Sequence, residues 1–186
     1  MTQHQRQRRL DVDEFLEWAG HQPGGRFELA DGVVVAMAPE RMAHVRAKGD
    51  AFVALRSAIA GAGLGCEASI DGVGVQVDES TLYIPDVFVR CGPRTPDDAM
   101  DVSDPVIVVE VVSPTTSGID SGAKLFDYFR LPSLHHYLIV QSNERAVIHY
   151  TRDGAGDVTG RTVRSGTLML DPPGLTVEVE ALFVSL

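Results

Sequence analysis

The sequence of 186 residues is poor in cysteine and has no long hydrophobic run. Its two cysteines, Cys66 and Cys91, are too few for a disulfide framework and show no CxxC spacing. We therefore predict that both are thiols of the core or of the surface. No apolar stretch reaches the roughly 18 residues that a membrane span needs, and no apolar segment follows the basic N-terminus as in a secretory signal. These absences favour a cytoplasmic location.

The chain also lacks a basic excess, since 26 acidic side chains face 16 basic ones and the formal net charge is −10. Phosphate contacts dominate the affinity of DNA-binding proteins, so this charge disfavours tight, non-specific DNA binding but still allows a local basic groove. A hydrophobic fraction of 44% is enough for a buried core and excludes disorder over most of the length. We expect a flexible tail over residues 1–10 and a single domain over residues 11–186.

The order of patterns predicts an α+β, or mixed α/β, fold with a central curved mixed sheet flanked by helices. Capping signals and apolar spacing predict helices over residues 11–20, 40–60 and 117–131. Strand-like runs fill most of the remainder, and they include the following segments: a hairpin over 26–38, then 73–79, 81–90, 104–114, 135–141, 145–152, 157–164 and 174–183.

Glu110 is the sharpest chemical feature because it interrupts the apolar run VIVVEVV, residues 106–112. An ionised carboxylate buried in such a strand is strongly disfavoured unless a metal, a cation or a raised pKa compensates. Alternatively, the acid reaches solvent or pairs with an arginine.

Asp86 follows Pro85 at the start of another apolar strand, and it either marks that start or supplies a second carboxylate. Two such acids on adjacent strands would form an oxygen site suited to Mg²⁺ or Mn²⁺.

Lys124 stands out because the chain has 14 arginines but only two lysines, the other being Lys48. Asp120, Lys124 and Tyr128 share one helix face, at i, i+4 and i+8. That face is either a solvated surface or lies over the end of the strand that carries Glu110, where ligands often bind in open sheets. The opposite face is predicted to pack on the core, with these members: Ile119, Ala123, Phe126 and Phe129. The adjacent His135 and His136 point to opposite faces of a strand and are interpreted as structural.

Several motifs together resemble the Uma2 family of restriction endonucleases, which lies within the PD-(D/E)xK nuclease superfamily. The resemblance covers residues 11–183 and implies a restriction-endonuclease-like core. The motifs that carry it are FELADG at 27–32, His44 at the start of the long helix, PD at 85–86, VEVVSPTT at 109–116, Asp-x₃-Lys-x₃-Tyr at 120–128, HHYLIV at 135–140 and LDPPGLTVEVEALF at 170–183.

The resemblance implies that Asp86 and Glu110 hold Mg²⁺ or Mn²⁺, with help from the carbonyl of Val111. The superfamily has a lysine two residues after the glutamate, but this chain has Val112, whose side chain cannot take that part. The resemblance then implies that Lys124 replaces it from the helix and that it orients or deprotonates water, or stabilises negative charge.

Three further side chains are weaker candidates for this site. Tyr128 is expected to hold Lys124 or a phosphate. Glu28 would add a ligand from the hairpin and His44 would contact water or phosphate, although a turn-side acid and a helix-start histidine are equally good structural interpretations. Gln141 stands where the family often has an aspartate.

The implied function is metal-dependent hydrolysis of DNA phosphodiester bonds. A non-catalytic binding or regulatory module with the nuclease fold is the alternative, favoured by the acidic charge and by Val112, and hydrolysis of another phosphate ester or of a nucleotide is a third reading. A homodimer is expected because nucleases that cut both strands often match the two-fold symmetry of the duplex, with residues 145–164 as a candidate interface. Substitution of Lys124 or Asp86 is expected to abolish cleavage with little effect on thermal stability.

Overall fold

The computed structural model describes residues 8–112 and 120–186, although not the side chains of Asp120 and Ser121. The predicted core position of Ile119 and the SPTT part of the strand motif lie outside the described residues. Three α helices occur in the described part of the chain: α1 (Val12–Gly20), α2 (Met42–Ala62) and α3 (Asp120–Tyr128). A short 3₁₀ helix, Val179–Phe183, follows the last strand.

The described strands include all the predicted strand segments, but three strands over residues 66–70, 101–102 and 167–170 were not predicted, and the predicted run 81–90 is divided into two strands. In chain order the described strands are β1 (Phe27–Ala30), β2 (Val33–Ala36), β3 (Cys66–Ile70), β4 (Gly74–Asp78), β5 (Thr81–Tyr83), β6 (Val87–Cys91), β7 (Asp101–Val102), β8 (Pro105–Val112), β9 (His136–Gln141), β10 (Ala146–Arg152), β11 (Val158–Val163), β12 (Thr167–Leu170) and β13 (Leu175–Glu178).

Local signals explain where the first elements begin and end. Asp11 caps α1 by accepting a hydrogen bond from the backbone of Glu14 at 2.8 Å, which confirms the predicted capping box. The β1–β2 hairpin turns at Asp31 and Gly32, which both have positive φ, as a two-residue turn of this kind requires. Gly63 ends α2 in the left-handed conformation.

The central sheet has six strands in the order β11-β10-β9-β8-β6-β3, and only the β8–β9 pair is parallel. This arrangement confirms the mixed fold class and the central position of β8. The sequence predicts one sheet, whereas the described residues form three. The second has the order β2-β1-β5-β4-β7, and the third pairs β12 with β13.

Two apolar clusters cover the two faces of the central sheet. On one face α2 packs together with β12, β13 and the 3₁₀ helix, and the buried members from α2 are Ala47, Ala51, Leu55 and Ile59. On the other face α3 and the second sheet pack around Phe88, Val108, Tyr128, Tyr137 and Ile139. The ends of β6 and β8 therefore lie between two helices, and this arrangement positions the site described below.

The predicted inner face of α3 is wrong for Ala123 and Phe126, whereas Phe129 is half-buried and packs against the core as predicted. Phe126 is 78% exposed and Ala123 is also exposed, whereas Lys124 and Tyr128 are buried. The polar face points inward because both polar tips meet carboxylates there. In α2 a smaller error of the same kind concerns Val45, which is exposed instead of facing the core.

The cysteines also differ from the prediction. Cys66 and Cys91 lie opposite each other on β3 and β6 and form a disulfide, so the prediction of two thiols is wrong. The antiparallel register that brings them together is not visible in a sequence separation of 25 residues. Disulfides are rare in the cytosol, so this disulfide does not support the cytoplasmic location. That location stays a prediction. No helix in residues 8–112 or 120–186 is long and apolar enough to cross a membrane.

A buried histidine pair on β9 and β10 predicts loss of stability in acid. His136 Nδ1 and His149 Nε2 are 3.0 Å apart, and burial lowers the pKa of each imidazole to about 4. In the unfolded chain a histidine binds its proton near pH 6.5. The unfolded state thus binds more protons between pH 6.5 and 4, and the stabilisation, fully present above pH 6.5, is lost as pH falls through that window.

We expect the two histidines together to lower the free energy of unfolding by about 7 kcal/mol over this range, since the pKa of each falls from 6.5 to about 4. His149→Gln should remove about half of that pH dependence in urea titrations at several pH values. The exposed His21→Gln serves as the control. An unchanged pH dependence in His149→Gln would contradict the assignment to this pair.

Candidate functional site

Asp86 and Glu110 lie on neighbouring strands at one end of the central sheet. Asp86 directly precedes β6, and Val87 pairs with Val109 in the antiparallel ladder with β8. One further step along this ladder places Asp86 beside Glu110, and side chains of facing residues are about 5 Å apart at Cβ. The backbone N–H of Val111 donates to Asp86 Oδ2 at 2.6 Å, which fixes the aspartate against β8.

Glu110 accepts hydrogen bonds from two side chains of α3. The Lys124 ammonium is 3.3 Å from Glu110 Oε1, and the Tyr128 hydroxyl donates to the same oxygen at 3.1 Å. Burial raises the pKa of Glu110 to about 7, and the negative charges of Asp86 and Glu28 act in the same direction, whereas Lys124 opposes them. The site therefore carries more negative charge than Lys124 neutralises.

Glu28 joins the site from β1 and shares Lys124 with Glu110. Lys124 Nζ donates to Glu28 Oε1 at 2.8 Å, and that oxygen also accepts the backbone N–H of Ile84 at 2.9 Å. Both charged side chains are about nine-tenths buried, with 7% of each exposed. The same ammonium lies 5.1 Å from the ring centroid of Tyr83. Lys124 thus binds two acids that are 96 and 14 residues away in sequence.

Asp86 is bound on its other side by two residues of α2. His44 Nε2 lies 2.9 Å and Lys48 Nζ 3.1 Å from Asp86 Oδ1. Burial disfavours the charged carboxylate, but the hydrogen bond from His44 and the charge of Lys48 outweigh it and lower the pKa of Asp86. Burial likewise disfavours the imidazolium, yet Asp86 raises the pKa of His44 above its ordinary value.

Lys48 is the residue that sequence reasoning left out of the site. Its buried ammonium donates to Glu40 Oε1 at 2.6 Å and to Asp71 Oδ2 at 3.2 Å, in addition to its contact with Asp86. Arg26 forms ion pairs with both Glu40 and Asp71. The scarcity of lysine and the helical i, i+4 spacing from His44 were the signals that could have found Lys48.

The structure brings all the predicted site residues into one region between α2 and α3. Asp86, Glu110, Lys124, Tyr128 and Glu28 are linked directly or through one another, and His44 joins through Asp86. The contact of Val111 is made by its backbone N–H, and the contact of Tyr128 is with Glu110. The roles assigned to these residues stay predictions.

The carboxylates around Glu110 have the donor chemistry that a hard divalent cation prefers. Carboxylate oxygens are the ligands that Mg²⁺ and Mn²⁺ prefer. Asp86 and Glu28 are buried and the side chain of Glu110 is 13% exposed; desolvation raises the pKa of Glu110, and the negative charges of Asp86 and Glu28 raise it further. A divalent ion between Asp86 and Glu110 would relieve this repulsion. A second set of donor atoms, on Glu40, His44 and Asp86, lies within 4.8 Å of one another.

Acids at the ends of two adjacent strands of a mixed sheet, with a lysine reaching them from the next helix, form the arrangement that the sequence resemblance implied. The sequence model of the family described as "Uma2: Putative restriction endonuclease" matches residues 12–183. The chain belongs to this family, which confirms the resemblance seen in the sequence.

One curated protein and one solved structure are similar to this chain over most of its length. The "Uncharacterized protein slr1290" of Synechocystis sp. (strain ATCC 27184 / PCC 6803 / Kazusa) is 28% identical over 181 residues, covering 94% of this chain and 92% of that protein. A crystal structure of "a putative nuclease belonging to DUF820" from Anabaena variabilis ATCC 29413 superposes with a TM-score of 0.73 at 14% identity, covering 94% of this chain and 98% of the other. At that identity the likeness shows the fold alone.

Proposed function

We propose that this protein is a metal-dependent endonuclease that hydrolyses DNA phosphodiester bonds. The observation that carries the proposal is the convergence of two acids from adjacent strands, the buried Asp86 and the partly exposed Glu110, with the Lys124 ammonium 3.3 Å from the second of them. The family supports a nuclease and the donor set supports a divalent cation. The homodimer, the single domain over residues 11–186 and the cytoplasmic location stay predictions.

Asp86 and Glu110 would hold Mg²⁺ or Mn²⁺, with Glu28 and the carbonyl of Val111 as further ligands. When bound, the ion supplies positive charge that polarises the phosphodiester and acidifies water. The His44 N–H keeps Asp86 charged and oriented, and the Tyr128 hydroxyl orients one oxygen of Glu110 by its hydrogen bond. These contacts hold the two carboxylates in place before substrate arrives.

Lys124 is proposed to act in the reaction as a positively charged ammonium group. Two carboxylates bind its amino group, and such partners favour the ammonium form. An ammonium donates hydrogen bonds and does not abstract a proton. We therefore infer that Lys124 orients the attacking water or stabilises the negative charge that develops on the phosphate, and that it is not the general base.

The direct test is cleavage of supercoiled plasmid by the purified protein. Nicked or linear DNA should form with Mg²⁺ or Mn²⁺ and disappear when EDTA is added. A separate preparation of Asp86→Asn, purified in the same way, controls for a contaminating nuclease. Equal cleavage by both preparations, or none with any divalent ion, would contradict the proposal.

Binding of the ion should depend on pH through Glu110. Burial raises the pKa of this carboxyl to about 7, and a proton must leave before the oxygens can bind an ion. The Mn²⁺ affinity should therefore fall about tenfold for each pH unit below 7 and level off above it. Calorimetric titrations from pH 5.5 to 8.5 measure this, and Glu110→Gln should bind weakly with little pH dependence. A flat profile for the parent protein would contradict the role of Glu110.

The alternative is a binding or regulatory module that retains the nuclease fold. Its support is the net charge of −10 and the valine at position 112, where the superfamily has its lysine. Titration with Mn²⁺ separates the two readings. Absence of binding at pH 8 together with absence of cleavage would favour the module.

A further inference from the structure

The α2 side of Asp86 has the donor atoms of a cation site. One ligand atom from each of Glu40, His44 and Asp86 lies within 4.8 Å of the other two. Carboxylate and imidazole donors at such distances suit a divalent ion such as Mn²⁺. A metal-dependent nuclease with acids on both sides of one aspartate could bind two ions, one beside Glu110 and one here.

A protein cation already binds these donors. Lys48 Nζ is 2.6 Å from Glu40 Oε1, 3.1 Å from Asp86 Oδ1 and 3.2 Å from Asp71 Oδ2. The side chain is 4% exposed, so protein groups rather than water surround the ammonium. A divalent ion on the same oxygens would lie within a few ångströms of this positive charge and would be repelled by it.

The charges on the two sides of Asp86 differ accordingly. On the α2 side, Lys48 and Arg26 balance the carboxylates of Glu40 and Asp71. On the α3 side, the carboxylates of Glu28 and Glu110 share the ammonium of Lys124. The uncompensated negative charge therefore lies next to Glu110, and a divalent ion is favoured there.

We propose that the Lys48 ammonium fills the second cation position of the site, so that the protein binds one divalent ion, beside Glu110. The inference deepens the proposed function, on whose ion between Asp86 and Glu110 it rests. Lys48 is a positioning residue in this arrangement. It holds Asp86 Oδ1 from the α2 side while the Val111 N–H holds Oδ2, and the orientation of the aspartate is fixed before an ion binds.

Counting Mn²⁺ ions tests this without measuring cleavage. In titrations followed by the electron paramagnetic resonance of free Mn²⁺, Lys48→Met should bind one more ion per chain than the parent. Lys48→Arg keeps the positive charge and should bind the parental number, as should the double variant Lys48→Met/Glu40→Gln, which lacks one ligand of the opened position. The control is Arg46→Ala, which removes an exposed cation of the same helix. An unchanged count in Lys48→Met overturns the proposal.

A second measurement does not depend on the folding of a variant without Lys48. Glu40→Gln, with Lys48 present, should change the Mn²⁺ affinity less than twofold, because the ion lies on the other side of Asp86. A tenfold or greater loss in Glu40→Gln would place the ion in the position assigned to Lys48 and overturn the proposal. A parent that binds no ion while Lys48→Met binds one would refute the proposed ion at Glu110 and leave the assignment of Lys48 intact.

Discussion

Lys124→Met is expected to lower the rate of plasmid cleavage by about a thousandfold, since removing one positioned charge or donor from such a site costs about 10²–10⁴ in rate. Methionine keeps most of the length of the side chain and removes the ammonium that reaches Glu28 and Glu110. The measurement is the initial rate of nicking at saturating Mn²⁺ and pH 8.

The same substitution should also destabilise the fold, contrary to the expectation from the sequence. The ammonium of Lys124 is buried between two carboxylates. Removing one member of a buried ion pair leaves an uncompensated charge and costs about 3–5 kcal/mol. Urea unfolding of Lys124→Met without metal should show this loss. The sequence-based expectation of unchanged stability did not include the burial of Lys124 between two carboxylates.

Two further variants separate the chemical effect from the structural one. Lys124→Met/Glu28→Gln removes one of the two carboxylates that lose their cation in Lys124→Met. It should recover part of the lost stability while cleavage stays abolished. Phe126→Ala changes an exposed side chain of the same helix and should leave stability within about 0.5 kcal/mol of the parent. Restored cleavage in the double variant would show that Lys124 acts on folding and not on the reaction.

Asp86→Asn should weaken Mn²⁺ binding by more than about a hundredfold and abolish detectable cleavage, because an amide offers one neutral oxygen where the carboxylate offers two charged ones. The variant also leaves His44 and Lys48 facing a neutral group. Calorimetric titration with Mn²⁺ and the plasmid assay measure the two effects.

The matched control for Asp86→Asn is Asp97→Asn. Asp97 is an exposed acid in an ion pair with Arg94, so this variant makes the same chemical change at an exposed position. It should keep the parental Mn²⁺ affinity and cleavage rate. Parental binding in Asp86→Asn would mean that the ion is held without Asp86, and the proposed site would be wrong.

The sequence was sufficient for the strand that carries Glu110. A single acid in a run of β-branched residues predicted a buried strand with a compensated charge, and β8 has that place at the centre of the sheet. Asp86 was found for a related reason, since Pro85 and the apolar run behind it mark the start of a strand. Both predictions rest on the local period of hydrophobic residues, which the sequence shows directly.

The orientation of α3 could not be obtained in this way. Apolar periodicity placed Phe126 inside, but the helix turns Lys124 and Tyr128 inward because Glu28 and Glu110 bind their polar tips. Glu28 is 96 residues from Lys124. A pattern within one helix cannot include a partner from another sheet, so apolar periodicity gave the wrong direction for Phe126.

By itself the sequence determined the order of the elements, the identity of the family and the two strand acids, because short-range periodicity and motif spacing encode them. Only the tertiary structure decided which charges meet. The register of β3 on β6 joins Cys66 to Cys91, and the packing of α2 brings Lys48 against Asp86. Such contacts depend on how distant segments pack in three dimensions, and the energy of a buried charge depends on the partners that packing supplies.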